Sequence, residues 1–179
     1  MIELAFAKNI CETSAKEALE KAKIFFKYKD PSKLAKLEQM PPILWKKFGF
    51  RTAGRYYLPH QAPSGYMLGE KIEMNINFLN SDSAEEFVKN TIVHELAHCV
   101  AYRCFNATGH NYIWKHIAII MGDDGERCHS YAPPKNSNRT EITCKCGNKF
   151  SMTPLRIKRA KEGNYLCGKC KINLKELFN

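Results

Sequence analysis

The sequence predicts an α+β chain: a helical domain with a small antiparallel sheet, followed by a small separate module built on cysteines. Three observations carry this. Apolar residues recur at three- and four-residue spacings from Ala18 to Phe26, from Ile92 to Ala101 and from Ile113 to Met121, the period of helices with a buried stripe. Ahead of the second stretch, Ile72, Met74 and Ile76 alternate with Glu73, Asn75 and Asn77, the period of a strand. Beyond Pro133-Pro134, four of the eight cysteines stand in two close pairs and the charge changes character.

Composition bounds the rest. With 179 residues, 44% hydrophobic and 26% charged, the chain has room for one well-buried domain and a small appendage. No apolar run approaches the ~20 residues of a membrane span. Met1 to Lys8 lacks the basic segment and apolar core of an export signal, so a cytoplasmic location is expected, with nucleoid association compatible and secretion excluded. In that compartment the paired cysteines point to metal, Cys11, Cys99, Cys104 and Cys128 are scattered thiols, and the sequons at Asn106 and Asn138 carry no glycan. The formal net charge of +10 is unevenly spread. Residues 1–130 hold 17 Lys+Arg against 15 Asp+Glu, whereas residues 131–179 hold 11 against 3. The excess assigns a polyanion partner to the tail, the plain alternative being a solvated surface.

Taken in order, Ser14-x-x-Glu17 has the form of a capping box, and a first helix runs from there, or upstream toward Ile10, through Phe26. Asp30-Pro31 pairs an N-cap with proline at the first helical position, predicting a short helix through Leu34 and Leu37 that stops before Pro41-Pro42. Ile43, Leu44, Trp45, Phe48 and Phe50 form an apolar cluster of open secondary structure, read simply as core. Arg51 to Leu58, Gly65 to Leu68 and Lys71 to Phe78 supply the sheet, the last with one buried face. Ser83, with Glu86, caps a central helix from about Ala84 to about Cys104. After a turn at Phe105 to Gly109, a further helix begins near His110 and is closed by Gly122 and Gly125. Pro133-Pro134 and Lys135 to Arg139 read as a linker, giving a domain at 1–132, a linker at 133–140 and a module at 141–179.

The central helix carries His94-Glu95-Leu96-Ala97-His98. Histidines four residues apart share a helix face about one turn apart, so both imidazoles can converge on one ion. Glu95 then lies beside that ion, where a water in an open position can give up its proton. The apolar flank from Ile92 to Ala101 buries such a helix; the alternative is a core helix with two satisfied histidines. A catalytic zinc usually takes three protein ligands. His110, His116 and His129 are the candidates for the third, with Asp or Glu as outside possibilities. His110 sits beside Gly109 at a helix start, where it can project back, whereas His116 lies off the apolar stripe and reads as a surface residue.

Together with Thr52-Ala53-Gly54, Ile76-Asn77-Phe78-Leu79 and Gly109-His110-x-x-x-Trp114, this motif resembles the SprT-like metallopeptidases. The resemblance continues through His129 into the cysteine-rich tail. It implies a zincin-like metalloprotease domain, zinc ligation by His94, His98 and His110, and Glu95 as the general base. Asn111 departs from it, since members commonly have glycine after the third histidine. Also implied is peptide hydrolysis by a zinc-bound water of pKa lowered toward ~7, whose proton Glu95 passes to the leaving amine. The region of His129 and Tyr131 falls near the cleft by the same resemblance, making them candidate oxyanion stabilisers, or else a structural histidine and a packing tyrosine.

In the tail, Cys144-Lys145-Cys146-Gly147 and Cys167-Gly168-Lys169-Cys170 can close a tetrahedral zinc site. This resembles a zinc ribbon whose first knuckle is shortened to C-x-C, so two zinc ions are expected, one catalytic and one structural; free or redox thiols are the alternative. Lys149, Phe150, Arg156, Lys158, Arg159, Lys161 and Tyr165 mix cations with aromatics, as a surface that neutralises phosphates and stacks bases requires. With no base-reading motif, the expected partner is single-stranded or non-specifically bound DNA. The expected function is a zinc metalloendopeptidase acting on DNA-associated proteins. A non-enzymatic nucleic-acid-binding or regulatory protein is the alternative from another class, and a protease whose ribbon binds proteins is a third reading.

Overall fold

Small residues decide how the first helix packs. The computed structural model describes residues 1–49, 52–61, 67–127 and 139–178, and its chain divides into two compact units, Met1–Pro134 and Lys135–Asn179. In the first unit, α1 (Leu4–Lys29) buries Ala7, Ala15, Ala18 and Ala22, so its backbone lies close to the helices it packs against. It starts well upstream of Ser14. The expected capping box therefore lies inside the helix, because Ala7, Ile10 and Cys11 continue the buried stripe and packing outweighs the local cap signal. Asp30 does cap the next segment, accepting from the Ser32 N–H at 3.2 Å, and Pro31–Leu37 is a 3₁₀ helix.

Among the described residues five short strands follow: β1 (Ile43–Lys46), β2 (Gly54–Tyr57), β3 (His60–Gln61), β4 (Met67–Leu68) and β5 (Lys71–Asn75). β3 and β4 form a two-residue ladder, while the main sheet has the order β1-β5-β2. β2 runs antiparallel to β5, with Gly54 opposite Met74 and Tyr56 opposite Ile72. β1 adds a strand parallel to β5, which resolves the apolar cluster at Ile43 to Trp45 and makes the sheet mixed.

The alternation in β5 predicts a single buried face, but both of its faces are covered. Glu73 and Asn75 are 2% and 0% exposed, so their polar atoms need partners. Glu73 Oε1 accepts from Lys46 Nζ and Lys71 Nζ, each at 2.8 Å. Burial alone would raise this carboxyl, yet the hydrogen bonds from Lys46 and Lys71 outweigh it and hold the pKa at about 2. Asn75 Oδ1 accepts from the N–H groups of Phe48 (3.3 Å) and Asn77 (3.0 Å), and its amide donates to Gly49 O (3.3 Å) and Thr52 O (2.7 Å). Asn75 thereby holds the residues that deliver β2. The chain leaves β5 as a 3₁₀ turn at Ile76–Asn80, not as a longer strand.

α2 (Ala84–Phe105) packs against α1, β2 and β5. Ser83 precedes it but makes no side-chain cap, so the second expected capping box does not form; Glu85 and Glu86 still meet the positive end of the helix dipole. α3 (Tyr112–Met121) begins after His110, not at it. Asn111 is its N-cap, accepting from the Trp114 N–H at 3.0 Å, and Gly122 ends it at φ 101°.

The second unit is a hairpin of β6 (Thr140–Thr143) and β7 (Lys149–Met152), then α4 (Pro154–Lys161) and a closing 3₁₀ turn at Leu174–Leu177. Cys144, Met152, Ala160, Cys167 and Leu174 are its buried core among the described residues, too little to hold so short a unit without a covalent or metal staple. Phe50, Arg51, Gly65, Cys128 and the linker residues Pro133 to Asn138 lie outside the described residues. Among the described residues no helix is long and apolar enough to cross a membrane.

Because the folded-state pKa of Glu73 lies below its ordinary 4.5, its contribution to stability is present above that value and is lost as pH falls toward 2. In Glu73→Gln the fall of Tm between those two pH values is expected to be shallower than in the native protein. Thermal melts of both proteins across that range check this, and superimposable slopes would show that the carboxylate contributes nothing.

Candidate metal centre and cleft

His94 and His98 stand one turn apart on α2, and the turn before α3 brings His110 to them. The Nε2 atoms of His94 and His110 are 2.9 Å apart, those of His98 and His110 are 3.2 Å apart, and all three residues offer ligand atoms within 4.8 Å of one another. Three imidazole nitrogens this close cannot all satisfy one another, since each neutral ring brings a lone pair as well as an N–H. A cation among them satisfies all three lone pairs. Burial, then His94 and His110, push His98 down to about 3, and burial and His94 lower His110 as well. These two rings are therefore neutral at ordinary pH, the form that ligates metal, and the three-nitrogen set fits zinc.

Trp114, 1% exposed, backs all three histidines: its ring centroid is 4.7 Å from His94, 4.4 Å from His110 and 5.1 Å from His98, the last stacked at an interplanar angle of 25°. Its Nε1 has no hydrogen-bond partner among the described residues, so the indole serves by its faces, restricting the rotamers of the rings. Behind His94, Asp123 Oδ2 lies 3.7 Å from Nδ1. Burial alone would raise Asp123, but its interaction with His94 and a bond from the Gly125 N–H (2.7 Å) outweigh it and lower it. A carboxylate on the far nitrogen of a ligand fixes the ring and strengthens it as a donor. Sequence reasoning did not assign Asp123 this role; its only signal was an acidic residue directly after the helix-ending Gly122.

Glu95 is 8% exposed, and its Oε2 accepts the Tyr56 N–H at 2.7 Å. Burial raises it to about 7; His94 and the Tyr56 N–H oppose that rise, and Asp123 adds to it. A carboxylate poised near neutrality is what proton transfer at ordinary pH needs. Gly54 makes the contact possible. A Cβ there would stand 2.7 Å from Thr91 Cγ2 and 3.0 Å from Glu95 Cγ, so only glycine lets β2 close on α2. His94, Glu95 and His98 of α2, together with His110, line a cleft of about 450 Å³ whose other wall is Thr52, Gly54, Tyr56 and Leu58, with Arg127 also lining it. His116 is exposed, its ring 5.8 Å from that of Phe25, and takes no part. His129 and Tyr131 lie outside the described residues.

In the second unit the four cysteines converge. The Sγ atoms of Cys144 and Cys170 are 3.6 Å apart, those of Cys146 and Cys167 are 3.7 Å apart, and all four lie within 4.8 Å. A tetrahedron with zinc–sulfur bonds of about 2.3 Å has edges of about 3.8 Å. None of the four is in a disulfide; N–H groups of Cys170 and Lys169 lower the Cys167 thiol, while burial and the neighbouring thiols raise that of Cys170. The shortened C-x-C is accommodated by Gly147 at φ 83°, whose N–H donates to Cys144 O at 2.8 Å. Lys149, Arg156, Lys158, Arg159 and Lys161 are exposed. Phe150 and Tyr165 are half-buried and pack on the small core.

Fold and site define a class: an α+β protein whose buried helix presents His-Glu-x-x-His to a third histidine, followed by a four-cysteine module. The chain belongs to the SprT-like family, whose family model matches residues 18–142. It is similar to Protein SprT of Pseudomonas aeruginosa (strain UCBPP-PA14), 32% identical over 103 residues, 54% of this chain and 62% of that protein. Protein SprT of Pseudomonas putida (strain W619) is 31% identical over 105 residues, with the same shares of 54% and 62%. The match thus spans less than two thirds of the length of these relatives. No solved structure matches.

Gly54→Ala is expected to lower stability by about 1–3 kcal/mol, the usual result of forcing a methyl into a filled contact. Urea unfolding measures it, and an unchanged midpoint would show that β2 can back away from α2 freely.

Proposed function

We propose that this chain is a zinc-dependent metalloendopeptidase of the SprT-like type that acts on DNA-associated proteins, with Glu95 as general base. The observation that carries this is the buried Glu95 carboxylate, held by a main-chain N–H beside three convergent imidazoles and lining a cleft walled by an edge strand. His94, His98 and His110 would hold the zinc, which when bound polarises a carbonyl and acidifies water. Glu95 takes the proton of the attacking water and returns it to the leaving nitrogen. β2 orients the substrate. The Tyr56 N–H turns to Glu95, away from β5, so by the alternation of an antiparallel pair the main-chain groups of Gly54 and the Tyr56 carbonyl face the edge that no other strand covers among the described residues, where an extended peptide can lie. His129 and Tyr131 are the candidates to steady the oxyanion, and the four cysteines would hold a structural zinc that supports the small core.

Glu95→Gln is expected to keep the native zinc content and lose hydrolysis of a DNA-bound basic protein by about 100-fold or more. Zinc quantitation beside a cleavage assay, with and without single-stranded DNA, checks both; an active variant would remove Glu95 from the mechanism.

The support for a DNA partner is the run of exposed cations on α4. Replacing Arg156, Lys158, Arg159 and Lys161 together by alanine is expected to weaken single-stranded DNA binding and to flatten its salt dependence, by about 0.7 in log–log slope for each phosphate no longer neutralised. Titrations at several salt concentrations measure the slope. Unchanged affinity would assign this surface to protein partners.

A further inference from the structure

Tyr56 is held at both ends. Its N–H donates to Glu95, and its hydroxyl donates to Glu70 Oε2 at 2.5 Å. Glu70 precedes β5, and its Oε1 accepts from Arg103 Nε at 2.7 Å and from Arg103 Nη2; Cys99 Sγ lies 3.6 Å from Oε2. Arg103 belongs to α2, the helix that carries His94, Glu95 and His98, and its Nη1 donates to the main-chain oxygens of Lys36 (3.0 Å) and Gln39. These bonds therefore form a closed circuit that leaves α2 at Glu95, crosses Tyr56 and Glu70, and returns to α2 at Arg103. Both ends rest on one rigid helix, so the circuit fixes the offset of β2 from α2.

Stability is a poor explanation for such an arrangement. A largely buried ion pair returns little net stabilisation after its desolvation, whereas a planar guanidinium bonded on every side sets directions well. Burial alone would raise Glu70, yet the bonds from Arg103 and Tyr56 outweigh it and lower it, so Glu70 stays a charged acceptor.

We infer that Tyr56, Glu70 and Arg103 are positioning residues for the Glu95 carboxylate: Arg103 orients Glu70, Glu70 anchors the Tyr56 ring, and Tyr56 presents its N–H to Glu95. This rests on Glu95 being the general base. None of the three touches the reacting atoms. Removing the Tyr56 hydroxyl leaves the motif and its imidazoles in place but frees the strand that aims the base.

The test uses the zinc-loaded full chain, with Tyr56→Phe and Arg103→Lys as variants, the second keeping the charge without the fork. Hydrogen exchange of the backbone amide at residue 56 is the first readout, and kcat against KM on a DNA-bound basic protein is the second. Expected in both variants are unchanged zinc content, protection within α2 retained, and exchange at residue 56 faster by about tenfold. The kcat is expected to fall about 10- to 100-fold with KM within about twofold, as misplacing a base without disturbing binding does. Unaltered exchange at residue 56 in both variants overturns the inference, as does protection reduced evenly along α2, which marks a merely structural role. If Tyr56→Phe does not fold, Arg103→Lys reads the same amide with Tyr56 intact. A native protein that hydrolyses nothing defeats the proposed function, while the exchange result still decides whether the circuit holds Glu95.

Discussion

A carboxylate in the middle of a buried helix is costly, and much of the first unit is arranged around that of Glu95. An ionised group removed from water needs a specific partner or it takes up a proton. Here the partner is one main-chain N–H, that of Tyr56, and it reaches Glu95 only because residue 54 has no side chain. The approach in turn needs β2 delivered at the right height. Asn75 does this by bonding the backbone at Phe48, Gly49 and Thr52, with Asn77 adding a 2.6 Å bond to Phe48 O. The buried amide of Asn75, at a position that reads as the solvent side of a strand, thus helps to locate Glu95, with the half-buried Asn77 beside it.

What could be read from the sequence was what covalent spacing imposes. Two histidines four apart must share a helix face whatever surrounds them, and the cysteine pairs need only tight turns to converge. The helices were legible because their apolar stripes are long. Local cap signals were weaker guides: Ser14 and Ser83 each head a capping-box pattern, yet one lies inside α1 and the other makes no cap bond. Packing decided α1, where Ala7 and Cys11 carry the buried face beyond Ser14. Asn111, a departure from the family pattern, has a local explanation: its side chain caps α3, and its amide bonds Thr108 O at 3.1 Å, so it shapes the very turn that delivers His110.

Partners made through space left no trace in spacing. Asp123 is 29 residues from His94, and Tyr56 is 39 from Glu95, so neither pairing has a periodicity to reveal it. The alternation at β5 misled for a related reason: a pattern of period two shows which residues share a face, not whether the other face is covered. Glu73 and Asn75 are buried with hydrogen-bonding partners supplied by Lys46 of β1, Lys71 of β5 itself and the loop between β1 and β2. In the cysteine module, interleaved cations and aromatics were one sequence pattern but have two structural fates. The cations are exposed, while Phe150 and Tyr165 are half-buried and pack on the small core.

The same contact that makes the buried carboxylate tolerable also makes its two oxygens unequal. Oε2 is engaged by the Tyr56 N–H, whereas Oε1 has no such donor from β2. A hydrogen bond donated to a carboxylate oxygen disfavours protonation of that oxygen, so under the proposed mechanism the proton of the attacking water is taken on Oε1. The bond to Tyr56 can then persist through proton uptake, and the base need not move between accepting the proton and delivering it. Under the same proposal it would also limit the substrate. With its N–H occupied, Tyr56 offers a peptide lying along the edge only its carbonyl, so the pairing nearest the base is one-sided, and register must be set further along, at Gly54 and beyond Tyr57. Under the proposed function the strand that aims the base would therefore also be the strand that admits the substrate, and the geometry of one role would constrain the other.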